Sequence, residues 1–430
     1  MCSPGYEGPL CEVCRDGYYK QLKKCRECPT KEWMAGQLSI MAAVVVIVIA
    51  VVVWTIKKKR KNIKGRSSVD VILGRLKIVI GFYQVTFGVL EAFSYIKWPD
   101  SLAVIGKYSE MLQLNVLQIA PINCLFPNLK VDAFGSLFAM LTINAAAIVV
   151  AFAVYSLSKM RLKTLNREEK LRKMSQMKEL VYRNLFFFLY VTYLSTCSKT
   201  ANVLSPACRE VCYDEKEESC QKFLKADYTI QCTVKKYNRS VIVAYCSVFY
   251  ILLLPTAAMV ITWRQRKALS KIENESNNET SDSKDHSTEV LRGLRFVYEN
   301  YKPHSWYWEF VETVRKVILT SGLILVGGES RAYIGLACVM SGLYGMFFAT
   351  KKPIIDPFEN KLMLSSLAVT FVNLGIGAVS RIPKEGIPSS IDPYMDSVMF
   401  KALVFGANSL VIGLLAGKHK VGFYFLQHLK

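Results

Sequence analysis

The sequence predicts an all-α polytopic membrane protein of about nine transmembrane helices, preceded by a small disulfide-rich fragment. Nine stretches approach the roughly 20 apolar residues that a helix needs to cross the hydrocarbon core of a bilayer. Clusters of Lys and Arg follow every second stretch, as expected where short basic loops stay in the cytosol. The predicted spans cover residues 33–56, 71–96, 134–158, 181–204, 240–263, 307–326, 332–350, 361–380 and 396–417.

The overall charge agrees with this placement. The chain has 430 residues, 52% of them hydrophobic, and a formal net charge of +21. A basic chain of this kind could bind nucleic acid, but here the basic residues adjoin the spans, where anionic lipids of the inner leaflet attract them. We therefore expect the lipid bilayer, and no nucleic acid, to be the partner of these charges.

The chain divides into four parts. Residues 1–32 are expected to form an extracellular or luminal cysteine-rich fragment, and residues 33–66 a first span with a basic cytoplasmic linker. Residues 67–417 form the multi-span membrane domain, and residues 418–430 a cytoplasmic tail. Because the chain begins inside a cysteine-rich region without a signal peptide, we expect a piece of a larger protein of the plasma membrane or the secretory pathway.

Two connections carry further predictions. Residues 97–132 are too polar to span and too apolar for a free loop, so we expect an amphipathic segment on the outer surface, as a cover or as part of a vestibule. Residues 272–290 are rich in Asn, Ser, Glu and Asp, a composition that cannot form a core. In this topology the glycosylation sequon at Asn238 is luminal, whereas those at Asn274 and Asn278 are cytoplasmic.

The cysteines outside the predicted spans indicate disulfides, because disulfides persist in the oxidising compartments that face outward. Two CxxC pairs near the N-terminus, Cys11–Cys14 and Cys25–Cys28, also have the spacing of a zinc ribbon, so a zinc site is the alternative. Since the number of outward cysteines is even, a bridge between Cys28 and Cys124 is a hypothesis. The expected disulfide cysteines are Cys2, Cys11, Cys14, Cys25, Cys28, Cys124, Cys208, Cys212, Cys220 and Cys232.

The N-terminal cysteine pattern resembles a known module. Residues 2–14 read CSPGYEGPLCEVC and are similar to the end of a laminin-type EGF-like repeat. This resemblance implies that Cys2 pairs with Cys11 and that Cys14 pairs with Cys25.

The body of the chain carries a second resemblance. Residues 75–99 read RLKIVIGFYQVTFGVLEAFSYIKWP, residues 224–232 read LKADYTIQC, and residues 296–319 read FVYENYKPHSWYWEFVETVRKVIL. Together they resemble the TRP-like C-terminal membrane domain of fungal flavin-carrier-like proteins and of EGF-bearing membrane proteins. The resemblance implies a multi-span helical fold and an activity as a cation channel or transporter.

Polar side chains inside the predicted spans are candidates for an ion pathway, because they are costly in lipid and usually face the bundle interior. Gln84 and Glu91 lie seven residues apart, on one stripe of the second span with Lys77. The alternative for Glu91 is a structural pair with a basic group of a neighbouring helix. The asparagines at the centres of their spans, for which hydrogen bonds between helices are the favoured interpretation, are Asn144, Asn373 and Asn408.

The sixth predicted span carries the charges that we expect to act in gating. Glu312 precedes Arg315 by three residues and Lys316 by four, a spacing that favours ion pairs on a helix. Glu309 lies one turn earlier, next to the aromatic residues 306–308 that mark the inner interface. The simpler interpretation is that this segment only anchors the helix.

No enzyme signature is present. The sequence has no P-loop, no HExxH motif and no Gly-x-Ser-x-Gly elbow, so we predict no catalytic residues, no cofactor and no metal. The predicted function is a TRP-like cation channel or transporter with an EGF-like ectodomain, with cations as partners. The alternatives are a receptor or adhesion protein that binds extracellular proteins, its membrane body being mainly an anchor, and a transporter of lipids or small solutes.

Overall fold

The computed structural model describes residues 2–21, 24–36, 39, 68–96, 98–111, 124, 131–161, 166–212, 220–264, 293–326, 331–380, 401, 404–409, 411 and 413. The predictions for the first span beyond residue 39, the basic linker, the sequons at Asn274 and Asn278 and the tail 418–430 lie outside these residues.

Helices form most of the described chain. They are α1 (Ser68–Ala92), α2 (Asp100–Met111), α3 (Ala133–Arg161), α4 (Arg167–Val203), α5 (Lys235–Arg264), α6 (Trp308–Val317), α7 (Leu323–Val326), α8 (Arg331–Lys351) and α9 (Pro357–Val379). A π-helical turn, Ile318–Gly322, joins α6 to α7. A short helical turn at Arg295–Tyr298 precedes α6, and residues 404–409 are helical.

Five of the described helices, α1, α3, α5, α8 and α9, are long and apolar enough to cross a membrane. They correspond to the predicted spans 71–96, 134–158, 240–263, 332–350 and 361–380, so the protein is a helical membrane protein with an N-terminal disulfide-rich region. The predicted spans 181–204 and 307–326 are helical but are not among these five. Helix α4 carries many polar and charged residues, and the π-helical turn divides the second span into α6, of 10 residues, and α7, of 4 residues. The predicted number of nine crossings therefore stays a prediction.

Helix α1 lies at the centre of the bundle, where it packs against α2, α4, the π-helical turn and α9. Of its most apolar stretch, 67% is buried inside the protein, against 17% for α3 and α5. Large apolar side chains on those two helices, such as Phe152 and Phe249, are at least 70% exposed. Lipid tails are as apolar as such side chains, so α3 and α5 are lipid-facing and α1 is enclosed by protein.

The N-terminal residues form two small antiparallel ladders that disulfides hold together. Strand β1 (Tyr6–Glu7) pairs with β2 (Val13–Cys14), and β3 (Tyr18–Gln21) pairs with β4 (Lys24–Glu27). A second sheet follows α4 and consists of β5 (Cys208–Cys212), β6 (Cys220–Leu224) and β7 (Asp227–Gln231).

All ten cysteines expected to face outward form disulfides in the structure. The bonds Cys2–Cys11 and Cys14–Cys25 are those implied by the EGF-like resemblance, and the hypothesis of a Cys28–Cys124 bond is confirmed. These bonds consume the thiolates that a zinc ribbon would need. Two further bonds staple the second sheet, Cys208–Cys232 and Cys212–Cys220.

The N-terminal module packs on the second sheet. Val13 contacts a small apolar cluster that includes Phe223 and Tyr228 of that sheet. The Lys20 ammonium donates hydrogen bonds to the carbonyl oxygens of Glu12, at 3.3 Å, and Ala226, at 3.4 Å. Burial of this ammonium lowers the pKa of Lys20 below its ordinary value. The module is thus docked as well as tethered.

Helices α1 and α9 run in the same direction and define two ends of the bundle. Near their starts, Arg75 lies 3.7 Å from the carboxylate of Asp356. Beyond the end of α1, the Trp98 ring lies against Gly377, near the end of α9. We refer to these as the inner and the outer end, after the predicted topology.

Two segments of backbone are bonded to each other at the inner end. Lys302 N donates to Pro353 O at 2.8 Å, and Ile355 N donates to Asn300 O at 2.9 Å. We call residues 300–302 and 353–355 the inner strap. It connects the segment that precedes α6 with the turn between α8 and α9.

Candidate functional site: a buried ion-pair network

Helix α6 places charged side chains on a face that is turned into the protein. Glu309, Glu312 and Lys316 are spaced by three and four residues, so they lie on one side of the helix. They are 2%, 2% and 9% exposed, respectively. Charges buried this deeply in a bundle are stable only when they are paired and hydrogen-bonded.

Glu309 is the most heavily bonded member of this set. Its Oε2 atom lies 2.7 Å from Lys77 Nζ of α1 and accepts a 2.7 Å hydrogen bond from the Tyr301 hydroxyl. Its Oε1 atom accepts a hydrogen bond from the Tyr190 hydroxyl of α4 at 2.5 Å. Lys77 donates a further hydrogen bond to Phe296 O at 3.2 Å. One carboxylate therefore connects α1, α4 and α6.

Tyr190 extends the network to a second carboxylate. Its hydroxyl accepts a 3.2 Å hydrogen bond from Lys316 Nζ, which lies 3.6 Å from Glu312 Oε1. Arg315 donates to both oxygens of Glu312, from Nε at 2.9 Å and from Nη2 at 2.6 Å. The predicted pairing of Glu312 with Arg315 and Lys316 is confirmed. The result is one chain of contacts from Lys77 through Tyr190 to Arg315.

Glycines of α1 provide the space for the partners of this helix. A Cβ atom added at Gly81 would lie 2.6 Å from Lys316 Nζ, and one added at Gly88 would lie 2.7 Å from Thr320 Cβ in the π-helical turn. Another Cβ atom at Gly74 would meet the amide of Asn300. The backbone of α1 can therefore approach α6 closely enough for Lys77 to reach Glu309.

Within these five charged side chains the signs do not balance. Lys77, Arg315 and Lys316 carry three positive charges, and Glu309 and Glu312 carry two negative charges, which leaves an excess of one positive charge. Aromatic faces lie beside the cations: Lys77 Nζ is 5.4 Å from the ring centre of Tyr301, and Lys316 Nζ is 5.7 Å from that of Tyr190. Cation–π attraction of this kind partly compensates the loss of hydration.

Two predicted pathway residues lie at the interface of α1 and α4, further toward the outer end. Gln84 donates a hydrogen bond to Val191 O at 2.8 Å. Glu91 accepts hydrogen bonds from Ser198 at 2.8 Å and from Asn202 at 3.0 Å. Lys199 Nζ lies 3.8 Å from Glu91 Oε1, so the contact that the alternative interpretation describes, a pair with a basic group of a neighbouring helix, is present. We call this interface, from Gln84 to Glu91, the α1–α4 seam.

The predicted asparagines lie in two separate places. Asn144 of α3 donates to Thr196 of α4 at 3.1 Å. Asn373 and Asn408 form a reciprocal pair of amide hydrogen bonds at 2.9 and 3.1 Å, on the other side of α1. Tyr83 of α1 donates to Asn408 O at 3.0 Å. All three amides therefore hold helices together, the role favoured by their sequence positions.

Three members of the network are not among the predicted site residues: Lys77, Tyr190 and Tyr301. Lys77 belongs to the polar stripe of α1, but its partner Glu309 is 232 residues away in sequence. Tyr301 belongs to the aromatic block of the second resemblance, and that block is the signal that could have identified it. Tyr190 lies in an apolar run, Leu185–Leu189 being LFFFL, and nothing in the sequence distinguishes it from a packing residue.

Comparisons with protein-family models, with curated proteins and with solved structures find no match for this chain. Across the described ranges, no group of three or more His, Cys, Asp or Glu side chains is arranged to hold a metal ion. The class of protein therefore has to be argued from the helical membrane fold and from the buried network.

Proposed function

We propose that this protein is a membrane transport protein, an ion channel or transporter, with its N-terminus on the extracellular or luminal side. One observation carries the proposal: a network of three cations and two carboxylates lies inside the bundle, next to the polar α1–α4 seam. Burying these charges is costly. A membrane body that served only as an anchor could be built from apolar and small residues at lower cost.

We assign different roles to the α1–α4 seam and to the buried ion-pair network. Glu91 lies in the outer half of the seam and is 22% exposed at its side chain, and a cation that binds there would replace the Lys199 ammonium, which lies 3.8 Å away. The network at the inner end has an excess of one positive charge and opposes a cation at its own level. We therefore assign cation binding to Glu91 and gating to the network around Glu309, in keeping with the resemblance to the TRP-like domain.

Reconstitution of the full chain in liposomes tests this proposal. We expect ion flux through the wild-type protein, a lower flux for Glu91→Gln, and an altered dependence of flux on the driving gradient for Glu312→Ala. The matched control is Glu169→Gln, because Glu169 pairs with Lys173 in an exposed ion pair on α4. Folded protein that passes neither ions nor small solutes contradicts the proposal.

A receptor or adhesion function is the second candidate, and the docked N-terminal module supports it. Rigid disulfide-bonded modules that rest on a membrane domain can transmit the binding of an extracellular protein. The tether Cys28–Cys124 and the contact of Lys20 with Ala226 provide such a connection. Binding of extracellular proteins to the reconstituted chain in the absence of any flux would favour this second function.

A further inference from the structure

Helices α1 and α4 run in parallel along the α1–α4 seam and end close together. Gln84 bonds to Val191, which lies 107 residues later in the sequence. Glu91 bonds to Ser198, again 107 residues later, so the two helices keep the same register. Glu91 is the second-last residue of α1, and Asn202, which donates to it, is the second-last residue of α4. The seam therefore closes at the C-terminal ends of two helices.

These two helix ends create a negative electrostatic potential at Glu91. The C-terminal end of a helix carries about half a negative charge and favours a cation. The carboxylate of Glu91 adds a full negative charge. Neither α1 nor α4 has a basic residue in its own last turn. A cation at this position is therefore stabilised by both helices and by the carboxylate, as cations are at helix ends inside transporters.

The Lys199 ammonium lies beside this carboxylate but is held loosely. Its Nζ atom is 3.8 Å from Glu91 Oε1, which is longer than a hydrogen bond. Within the described ranges it donates no hydrogen bond, although the residue is only 7% exposed. The carboxylate oxygens accept their hydrogen bonds from Ser198 and Asn202 instead. Lys199 therefore neutralises Glu91 without being fixed to it, and its flexible stem allows the ammonium to withdraw.

The groups around the ammonium can bind an ion that takes its place. The carboxylate of Glu91, the hydroxyl oxygen of Ser198 and the amide oxygen of Asn202 keep free lone pairs after the bonds described above are made. These oxygens are suitable ligands for a hard cation. An ammonium group and a K⁺ ion are similar in radius, so the ion fits the space that Nζ leaves and needs no further cavity.

The charge of the site selects a monovalent ion. Exchange of one ammonium for one monovalent cation leaves the charge around Glu91 unchanged. A divalent ion would add a positive charge that neither Ser198 nor Asn202 offsets, and uncompensated charge away from water is costly. Ca²⁺ also takes roughly six to eight oxygen ligands, with carboxylates among them. Of the side chains in this set, Glu91 alone is a carboxylate.

We propose that the transported ion is a monovalent cation of ammonium size, such as K⁺, and that Lys199 is its built-in competitor at Glu91. The ammonium occupies the site between transport events and leaves it when the ion binds. The affinity for the ion is then determined by Lys199 as well as by Glu91. This inference rests on the proposed function, which assigns cation binding to Glu91, but binding can be measured without transport.

The test measures cation binding to the purified full chain in detergent, with choline chloride keeping the ionic strength constant. Thermal stabilisation by KCl and by CaCl₂ is titrated for the wild type, Lys199→Ala and Glu91→Gln. We expect Lys199→Ala to lower the half-saturating K⁺ concentration about tenfold, because a partly buried competitor contributes more than an exposed ion pair. Glu91→Gln should abolish the saturable effect of K⁺. Ca²⁺ should give no stabilisation that depends on Glu91.

Lys173→Ala is the matched control, because it removes an exposed ammonium from the same helix. It should bind K⁺ as the wild type does, and Lys199→Arg, which keeps the charge, should not bind K⁺ more tightly. Should Lys199→Ala impair folding, Lys199→Gln gives the same comparison. The inference is overturned by a K⁺ affinity that does not change when the ammonium is removed, by absence of saturable K⁺ binding in every variant, or by Ca²⁺ binding that Glu91→Gln abolishes.

Ion flux through the same variants in liposomes separates this inference from the proposed function. Flux whose dependence on K⁺ concentration is the same in the wild type and in Lys199→Ala overturns the inference and leaves the transport function in place. K⁺ binding that strengthens in Lys199→Ala, while no ion passes through any variant, supports the site and contradicts transport.

Discussion

The Lys77 ammonium and the Glu309 carboxylate lie 2.7 Å apart in the interior of the bundle, with side chains that are 4% and 3% exposed. The pair joins α1 to α6 across 232 residues of sequence. Two tyrosine hydroxyls donate hydrogen bonds to the carboxylate of Glu309. Because neither ion can reach water when its partner is removed, the stability of the fold depends strongly on this pair.

Removal of either partner should destabilise the protein strongly. We expect Lys77→Met or Glu309→Gln to lower the free energy of unfolding by about 3 to 5 kcal/mol, because each leaves a buried group without its counterpart. The double variant should cost less than the sum of the two, with a coupling energy of at least about 1 kcal/mol. Thermal unfolding in detergent measures all three.

The exposed pair of Glu169 and Lys173 provides the control for this cycle. Both side chains are almost half exposed, so Glu169→Gln should change stability by less than about 1 kcal/mol. Additive effects of Lys77→Met and Glu309→Gln would show that the two residues are not energetically coupled.

Close contact between α1 and the π-helical turn should make Gly88 intolerant of a methyl group. A Cβ atom there would lie 2.7 Å from Thr320 Cβ, and a β-branched side chain has little freedom to move away. We expect Gly88→Ala to cost about 1 to 3 kcal/mol. Gly345→Ala is the matched control on α8, because nothing lies within 4 Å of its added Cβ atom. Equal melting temperatures of the two variants would contradict the close approach of α1 to this turn.

The pair of Asn373 and Asn408 should contribute to packing and not to transport. Hydrogen bonds between helices in membranes contribute about 1 kcal/mol, so Asn373→Ala should lower stability by roughly that amount. Asn408→Ala should cost somewhat more, because the Asn408 amide also donates to Val404 O. The double variant should be little worse than Asn408→Ala alone. Ion flux per folded molecule should stay unchanged. A loss of flux without a loss of folded protein would indicate that these asparagines belong to the ion pathway.

Docking of the N-terminal module should strengthen as the pH rises. Because the folded-state pKa of Lys20 is below the unfolded value of 10.5, the docked state binds fewer protons between the two values. Stability therefore increases with pH across that interval and is constant below it, where Lys20 is charged in both states. Hydrogen exchange of β7 amides, corrected for the intrinsic effect of pH, measures docking.

Lys20→Met is the comparison for this pH effect, because it keeps an unbranched apolar chain and removes the titrating group. Its β7 amides should be protected to the same degree across the interval, once corrected. A wild-type profile that is flat there would show that the ammonium is not desolvated by docking.

The sequence was informative wherever one local pattern determined the outcome. Long apolar stretches located the five helices that can cross a membrane, and the resemblance of the N-terminal cysteine pattern to an EGF-like repeat implied the first two disulfides. The ion pairs of Glu312 followed from helical spacing alone. The residues that form each of these helices, disulfides or ion pairs lie close together in the sequence.

Contacts between distant elements could not be predicted in the same way. Nothing local relates Lys77 to Glu309, and Tyr190 has the same neighbours in sequence as an ordinary packing residue. The docking of the N-terminal module on the second sheet depends on Val13 and Lys20 meeting a surface about two hundred residues later. Such pairs are determined by the way helices and sheets pack, which one sequence does not specify residue by residue.

The inner strap restricts how this bundle can move. Backbone hydrogen bonds tie residues 300–302 to residues 353–355, so the segment before α6 cannot separate from the turn between α8 and α9 without breaking them. A large opening that keeps this connection intact would occur at the boundary with the block of α3, α4 and α5. Tyr190 crosses that boundary together with the hydrogen bonds of the α1–α4 seam, so such a movement would have to break all of these contacts.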